Sequence, residues 1–280
     1  MRFKPGVSAD DHTMATLKRV LESAKQLRHG SKLGFTHEYG LWAIGAQHEL
    51  SGLFRSQDVV DFVITPRFLA AGAVNPPAAA EAIIYGELDR FIADLSDVIA
   101  ALANDRARWH LESWIVVPDT NVLLHHPEPF WEINWHELLN RKPRDRREAL
   151  FNDLTPINVV LPIIVVDELD SQKRKGQGPV KARARQTLQR VDQLLEDVET
   201  DRQAVIPRGD DSSGVVTLEV VIDPLSHVRL PDPDSEIADR VLSIRQLANR
   251  RVTLLTYDTG MALRARSVGV DVQHLDPPPS

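Results

Sequence analysis

The chain has 280 residues, of which 42% are hydrophobic and 26% charged, enough for one large or two ordinary soluble domains. It has no cysteine, which excludes disulfides, thiolate metal sites and cysteine nucleophiles and suits a reducing compartment. A formal net charge of −7 excludes coating of nucleic acid by bulk attraction, so a polyanion would have to meet a local cluster of cations.

Met1-Arg2-Phe3-Lys4-Pro5 is not followed by an apolar run, so no signal peptide is expected. Pro76 and Pro77 break the apolar stretch Phe68–Ala80, so no membrane span is expected either, and a cytoplasmic protein is the default. Residues 1 to about 110 read as a small all-α domain. Met14, Leu17, Val20, Leu21, Ala24 and Leu27 repeat at helical spacing, as do Ile83, Ile84, Leu88, Ile92, Leu95, Val98, Ile99 and Leu102. Leu41–Phe54 and Val59–Ala71 are expected to be two shorter helices between them. His37, His48, Glu49 and Glu81 form no catalytic or metal-binding spacing. Asn104–Arg108 reads as a polar junction.

From Trp114 the pattern changes to apolar strands alternating with helices, the signature of βαβ units and a parallel sheet. Ile115, Val116 and Val117 form a β-branched run of the kind buried on both faces of such a sheet. Pro118 has no N–H to donate and ends the ladder. Asp119 then stands at the strand's carboxyl end, where open α/β sheets collect ligands, although Asp also favours a helix N-cap. Ile157–Leu161 is a second strand, and Ile163–Leu169 either extends it or opens a helix through Asp170 and Ser171. Val180–Val198 is a helix with Leu188, Val191, Leu195 and Val198 on one side. Val215–Ile222 is a strand, and Pro231–Glu236 has the prolines, cap candidate and acids of a helix start. Val252–Leu255, Thr259–Ser267 and Val270–Val272 read as strand, helix and strand. Pro277–Ser280 is a loose tail.

On this map Asp119 follows the first strand, Glu168 opens the element after the second, Asp234 heads a helix and Asp258 follows Val252–Leu255. Strand carboxyl ends of a parallel sheet lie along one edge, so these four acids can converge there. Like charges raise one another's pKa, and a divalent cation relieves the repulsion. With oxygen ligands only, that cation is Mg²⁺ or Mn²⁺. His125 and His126 are adjacent, point in different directions, and are not taken as ligands. Such a site suits phosphodiester hydrolysis. Two basic runs flank the acids and offer a path for a polyanion: Arg141, Lys142, Arg144, Arg146 and Arg147, then Lys173, Arg174, Lys175, Lys181, Arg183 and Arg185. Trp131 and Trp135 are either stacking platforms or core.

Residues 113–275 resemble a PIN domain, similar to the type found beside PhoH ATPases. The resemblance rests on four ordered blocks: Pro118-Asp119-Thr120-Asn121-Val122-Leu123, Leu161-Pro162 through Val166-Asp167-Glu168-Leu169-Asp170, Asp234-Ser235-Glu236-Ile237, and Thr256-Tyr257-Asp258. It implies an α/β/α fold with a central parallel sheet after the helical domain. It also implies a ribonuclease in which Asp119, Glu168, Asp234 and Asp258 hold Mg²⁺ or Mn²⁺, leaving 5′-phosphate and 3′-hydroxyl ends. Asn121 and Thr256 would orient Asp119 and the metal water. Thr259 and Gly260 stand where many relatives carry a further acid, and Asp167, Glu236 and Asp239 rival Asp234 as the third ligand. No GxxxxGK[ST] motif accompanies the domain. The alternative is a catalytically reduced module that binds RNA or protein. A haloacid dehalogenase-type phosphatase is excluded, because Asn121 stands where a second Asp is needed. RNA is the expected partner, with a second copy of the chain or an antitoxin-like protein as further partners.

Overall fold

The computed structural model describes residues 2–30, 35–71, 74, 77–109, 113–139, 154–196, 198, 203–207, 214–223 and 227–277. The chain divides into two compact units: Met1–Arg108 with Gln246–Asn249, and Trp109–Arg245 with Arg250–Ser280.

The first unit is helical: α1 (Asp11–Gly30), α2 (Phe35–Leu53), α3 (Ser56–Val63), α4 (Pro66–Ala71) and α5 (Pro77–Arg108). The Asp10 carboxylate caps α1 by accepting from the Thr13 N–H at 2.7 Å. Leu17, Leu50, Ile84, Leu88 and Leu95 are fully buried with Tyr39 and Phe91, so the helical periodicity read from the sequence marks the core face. One expectation is corrected. Val59–Ala71 is not one helix: the chain leaves α3 at Ile64 and restarts at Pro66, because a proline ring suits a first turn and not a helix interior. Asn104–Arg108 forms the end of α5, where Arg106 pairs with Asp11 at 2.8 Å, and the division between the two units falls directly after it.

The second unit is α/β. Its strands are β1 (Trp114–Pro118), β2 (Ile157–Pro162), β3 (Gln203–Val205), β4 (Val216–Val221), β5 (Val252–Thr256) and β6 (Asp271–His274). Its described helices are α6 (Thr120–His125), α7 (Trp135–Leu138), α8 (Ile163–Lys175), α9 (Gly178–Glu196), α10 (Pro233–Ala248) and α11 (Thr259–Ser267). The strand order is β3-β4-β2-β1-β5-β6, parallel except for β3, which runs antiparallel to β4. β1, β2 and β5 are buried along nearly their whole length, and are apolar except for Asn158, Thr253 and Thr256. A buried polar ladder fixes the register of β1, β2 and β4. Asn158 donates to Ser113 Oγ at 2.7 Å and accepts from Thr217 Oγ1 at 2.6 Å.

Ile163–Leu169 opens a helix and does not extend β2. The edge strand β3 has three residues and no period to read, which is why the sequence did not disclose it. The last strand begins at Asp271, not Val270. The buried face of α9 is Ala184, Thr187 and Val191, with Leu188 and Leu195 half-buried and Val198 beyond the helix end. Trp135 is 1% exposed and belongs to the core, whereas Trp131 is half-buried. Among the described residues no helix is long and apolar enough to cross a membrane.

Candidate functional site

Three neighbouring strands, β2, β1 and β5, bring acids to one edge of the sheet. Asp119 follows β1, and its backbone N–H still pairs with the Leu255 carbonyl at 2.9 Å, one step beyond Pro118. Only 4% of Asp119 is exposed. Its Oδ1 caps α6 by accepting from the Val122 N–H at 2.8 Å, and its Oδ2 accepts from the Thr256 hydroxyl. The cap and the rim acid are therefore one residue. Asp258 follows β5 and caps α11 through the Met261 N–H at 2.7 Å, while its own N–H donates to Thr256 Oγ1 at 2.9 Å. Thr256 thus ties Asp119 and Asp258 to one hydroxyl. Glu168 lies in the second turn of α8, where Thr120 donates to its Oε2.

Electrostatics joins these groups and Asp234. Burial pushes the Asp119 carboxyl up to about 6, the hydrogen bonds from Thr256 and Val122 oppose it, and the charges of Asp234 and Glu168 add to the rise. Burial also raises Glu168, against the Thr120 hydrogen bond and with Asp234 and Asp232 adding their charges. Asp234 is raised by burial, with Asp232 and Asp258 adding, while Arg264 opposes; the Arg264 guanidinium donates to Asp234 Oδ2 at 2.8 Å. A Cβ on Gly260 would stand 3.0 Å from Asp258 Oδ1 and 3.3 Å from Arg264 Nη1, so the glycine leaves room for both side chains.

The sequence left Asp234 with three rivals, and their partners separate them. Glu236 is fully buried: its Oε1 meets His227 Nε2 at 2.6 Å and its Oε2 accepts the Leu230 N–H at 2.8 Å. Asp167 pairs with Arg229 at 2.6 Å and Asp239 with Arg240 at 3.0 Å. Among the described residues, Asp223, His227 and Glu236 are the set whose possible ligand atoms lie within 4.8 Å of one another. That set already contains its cations, since Arg229 reaches Asp223 at 2.7 Å and Arg240 lies 3.6 Å from Glu236. It is an ion-pair network; at the rim Asp234 pairs with Arg264, while Asp119, Glu168 and Asp258 have no ion-pair partner among the described residues.

Asn121 is exposed and makes no recorded bond to Asp119; the orienting hydroxyl comes from Thr256. Two features escaped the sequence reading. Thr120 orients Glu168, and Asp232 adds charge beside Glu168 and Asp234 while capping α10 through Ser235. The prolines on both sides of Asp232 were the available signal. Of the basic runs, Arg144, Arg146 and Arg147 lie outside the described residues, with Arg141 and Lys142. Lys173 and Arg174 pair with Asp170 at 3.4 and 2.6 Å. Lys175, Lys181 and Arg185 are exposed, and Arg183 donates to the Pro127 carbonyl at 3.1 Å.

Thr256→Val keeps the shape and removes the shared hydroxyl. We expect it to cost about 1–3 kcal/mol in urea unfolding, because the buried Asp119 carboxylate and the Asp258 N–H both lose their bond. Thr256→Ser should restore that stability.

The model of the PIN domain family matches residues 116–276. No curated protein matches the chain.

Proposed function

We propose that this chain, which belongs to the PIN domain family of usually metal-dependent nucleases, is an endoribonuclease that hydrolyses RNA phosphodiester bonds. The carrying observation is Asp119, a desolvated carboxyl among other acids whose proton affinity has risen to about 6. Groups so placed are tolerated when a cation joins them. The donor set is all oxygen, which fits Mg²⁺ or Mn²⁺, and Asp119, Glu168, Asp234 and Asp258 would hold the ion. Each Asp119 oxygen accepts a single recorded hydrogen bond and keeps a lone pair for a ligand. A cation bound there supplies Lewis-acid polarisation of the phosphate and lowers the pKa of water.

The chain's own residues do the rest. Thr256 and the Val122 N–H fix both oxygens of Asp119, Thr120 fixes Glu168, and the Met261 N–H fixes Asp258. These contacts hold the carboxylates before substrate arrives, so little reorganisation remains. Arg264, anchored on Asp234, adds a positive group beside the acids for an approaching polyanion.

Protons compete with the metal for Asp119. Cleavage at subsaturating Mn²⁺ should therefore rise about tenfold per pH unit below the Asp119 midpoint and flatten above it. In the metal-free protein that midpoint lies at about 6, and bound cation moves it lower. A rate flat from pH 5 to 8 would contradict this assignment.

The reading is tested by incubating purified protein with a mixed RNA pool, with Mn²⁺ or with EDTA, and mapping the ends. The expected result is internal cuts with 5′-phosphate ends, in Mn²⁺ only. RNA bound but uncut in both conditions would favour the catalytically reduced module.

A further inference from the structure

We infer that a recess between α9 and the loop after α6 is a subsite for an unpaired nucleotide of single-stranded RNA, apart from the acidic rim. It is an open recess of about 370 Å³, and Trp131, Arg183, Gln186, Gln189, Arg190 and Gln193 line it. None of the four rim acids lines it. The choice of RNA rests on the nuclease reading; the recess itself does not.

The helix explains the lining. Arg183, Gln186, Arg190 and Gln193 recur every three or four residues and form one stripe of α9, while Ala184, Thr187 and Val191 bury the adjoining stripe. The helix carries Lys181, Arg183, Arg185 and Arg190 against Asp192 and Glu196, so it is locally cationic within a chain of net charge −7. Neither Arg183 nor Arg190 has a carboxylate partner among the described residues, and Arg183 is pinned at one end by the Pro127 carbonyl at 3.1 Å. Among the described residues the three glutamine side chains make no hydrogen bond either, and each offers both donors and an acceptor.

Trp131 completes the set. Unlike Trp135 it is not core: it is half-buried and braced by the buried Phe130 in an edge-to-face contact, with centroids 5.2 Å apart and planes at 85°. Its indole N–H donates to Glu132 at 3.2 Å, which further fixes the ring. A fixed aromatic face, amides that pair with base edges and guanidiniums for phosphate are together the chemistry of an unpaired nucleotide. Among the described residues its lining holds no carboxylate, so the recess suits no metal ion. With Trp131 as its large apolar group it suits no hydrophobic helix.

The test uses the full-length protein and a labelled, unstructured 12-nucleotide RNA, read by fluorescence anisotropy in EDTA so that cleavage cannot intervene. Trp131→Ala should weaken binding about tenfold or more. Arg183→Gln/Arg190→Gln, surface changes that should leave the melting temperature in place, should flatten the slope of log K against log salt by about 1.4, or roughly 0.7 for each lost phosphate contact. Duplex RNA of the same length should compete poorly. Wild-type affinity and salt slope in the double arginine variant would overturn the subsite, whatever Trp131→Ala does to folding. If RNA binding depends on these residues while the wild-type protein never cleaves in Mn²⁺, the subsite stands and the nuclease reading fails. If cleavage is present and binding ignores them, the reverse holds.

Discussion

Asp119→Asn should give a protein that is inactive and, without divalent metal at pH 7.5, more stable than the wild type. The folded protein holds the Asp119 proton up to about 6, against 3.8 for a free side chain. The native state therefore binds more protons than the unfolded state between these values, and wild-type stability falls as pH rises through that window. Above it the buried charge costs its full amount, an upper bound of about 3 kcal/mol at 1.36 kcal/mol per pH unit. The carboxamide carries no charge and keeps an oxygen for the Val122 N–H, so the cap on α6 survives. Its advantage should be absent near pH 4, grow through the window and persist above it, as urea unfolding at several pH values will show. Cleavage should fall by more than about 100-fold, beyond the loss typical of an outer-shell partner. Lower stability than wild type at pH 7.5 would contradict the desolvated-charge account.

Glu236→Ala should have the largest effect on folding. Glu236 is fully buried and serves His227 Nε2, the Leu230 N–H and the Arg240 side chain, which is itself 8% exposed. Truncation leaves His227 Nε2 and the Leu230 N–H without their partner and takes one carboxylate neighbour from the buried Arg240 guanidinium, with Asp239 and Asp223 remaining, a loss of about 3–5 kcal/mol. The denaturation midpoint should drop with an unchanged slope. Glu236→Gln keeps the acceptor for Leu230 and should lose less. Because Glu236 belongs to the ion-pair network and not to the rim, folded Glu236→Gln should retain cleavage within about threefold, while Asp234→Asn should not. Equal loss of activity in both would return Glu236 to the ligand set.

Strand ends were the legible part of this chain. Ile115–Val117 and Val252–Leu255 are short β-branched or apolar runs, each closed by an Asp within a few residues, and both runs lie in neighbouring central strands. The pattern of the sequence alone therefore puts Asp119 and Asp258 at strand ends. Partner choice was not legible. Nothing in the spacing of Asp167, Glu236 and Asp239 says that Arg229 and Arg240 neutralise them, because those contacts span loops and a helix turn and repeat with no period. Asn121 and Thr120 illustrate the same limit: both follow Asp119, and spacing alone does not say that Asn121 is exposed while the buried Thr120 holds Glu168.

Mn²⁺ titration of the melting temperature at pH 7.5 tests the shared-cation claim most directly. Binding to the native state alone stabilises by about 2.7 kcal/mol at a hundredfold excess over Kd, roughly 5–10 °C for a domain of this size. The wild-type Tm should climb with Mn²⁺ and that of Asp119→Asn should stay level. A wild-type Tm indifferent to Mn²⁺, or an equal climb in the variant, would contradict the account.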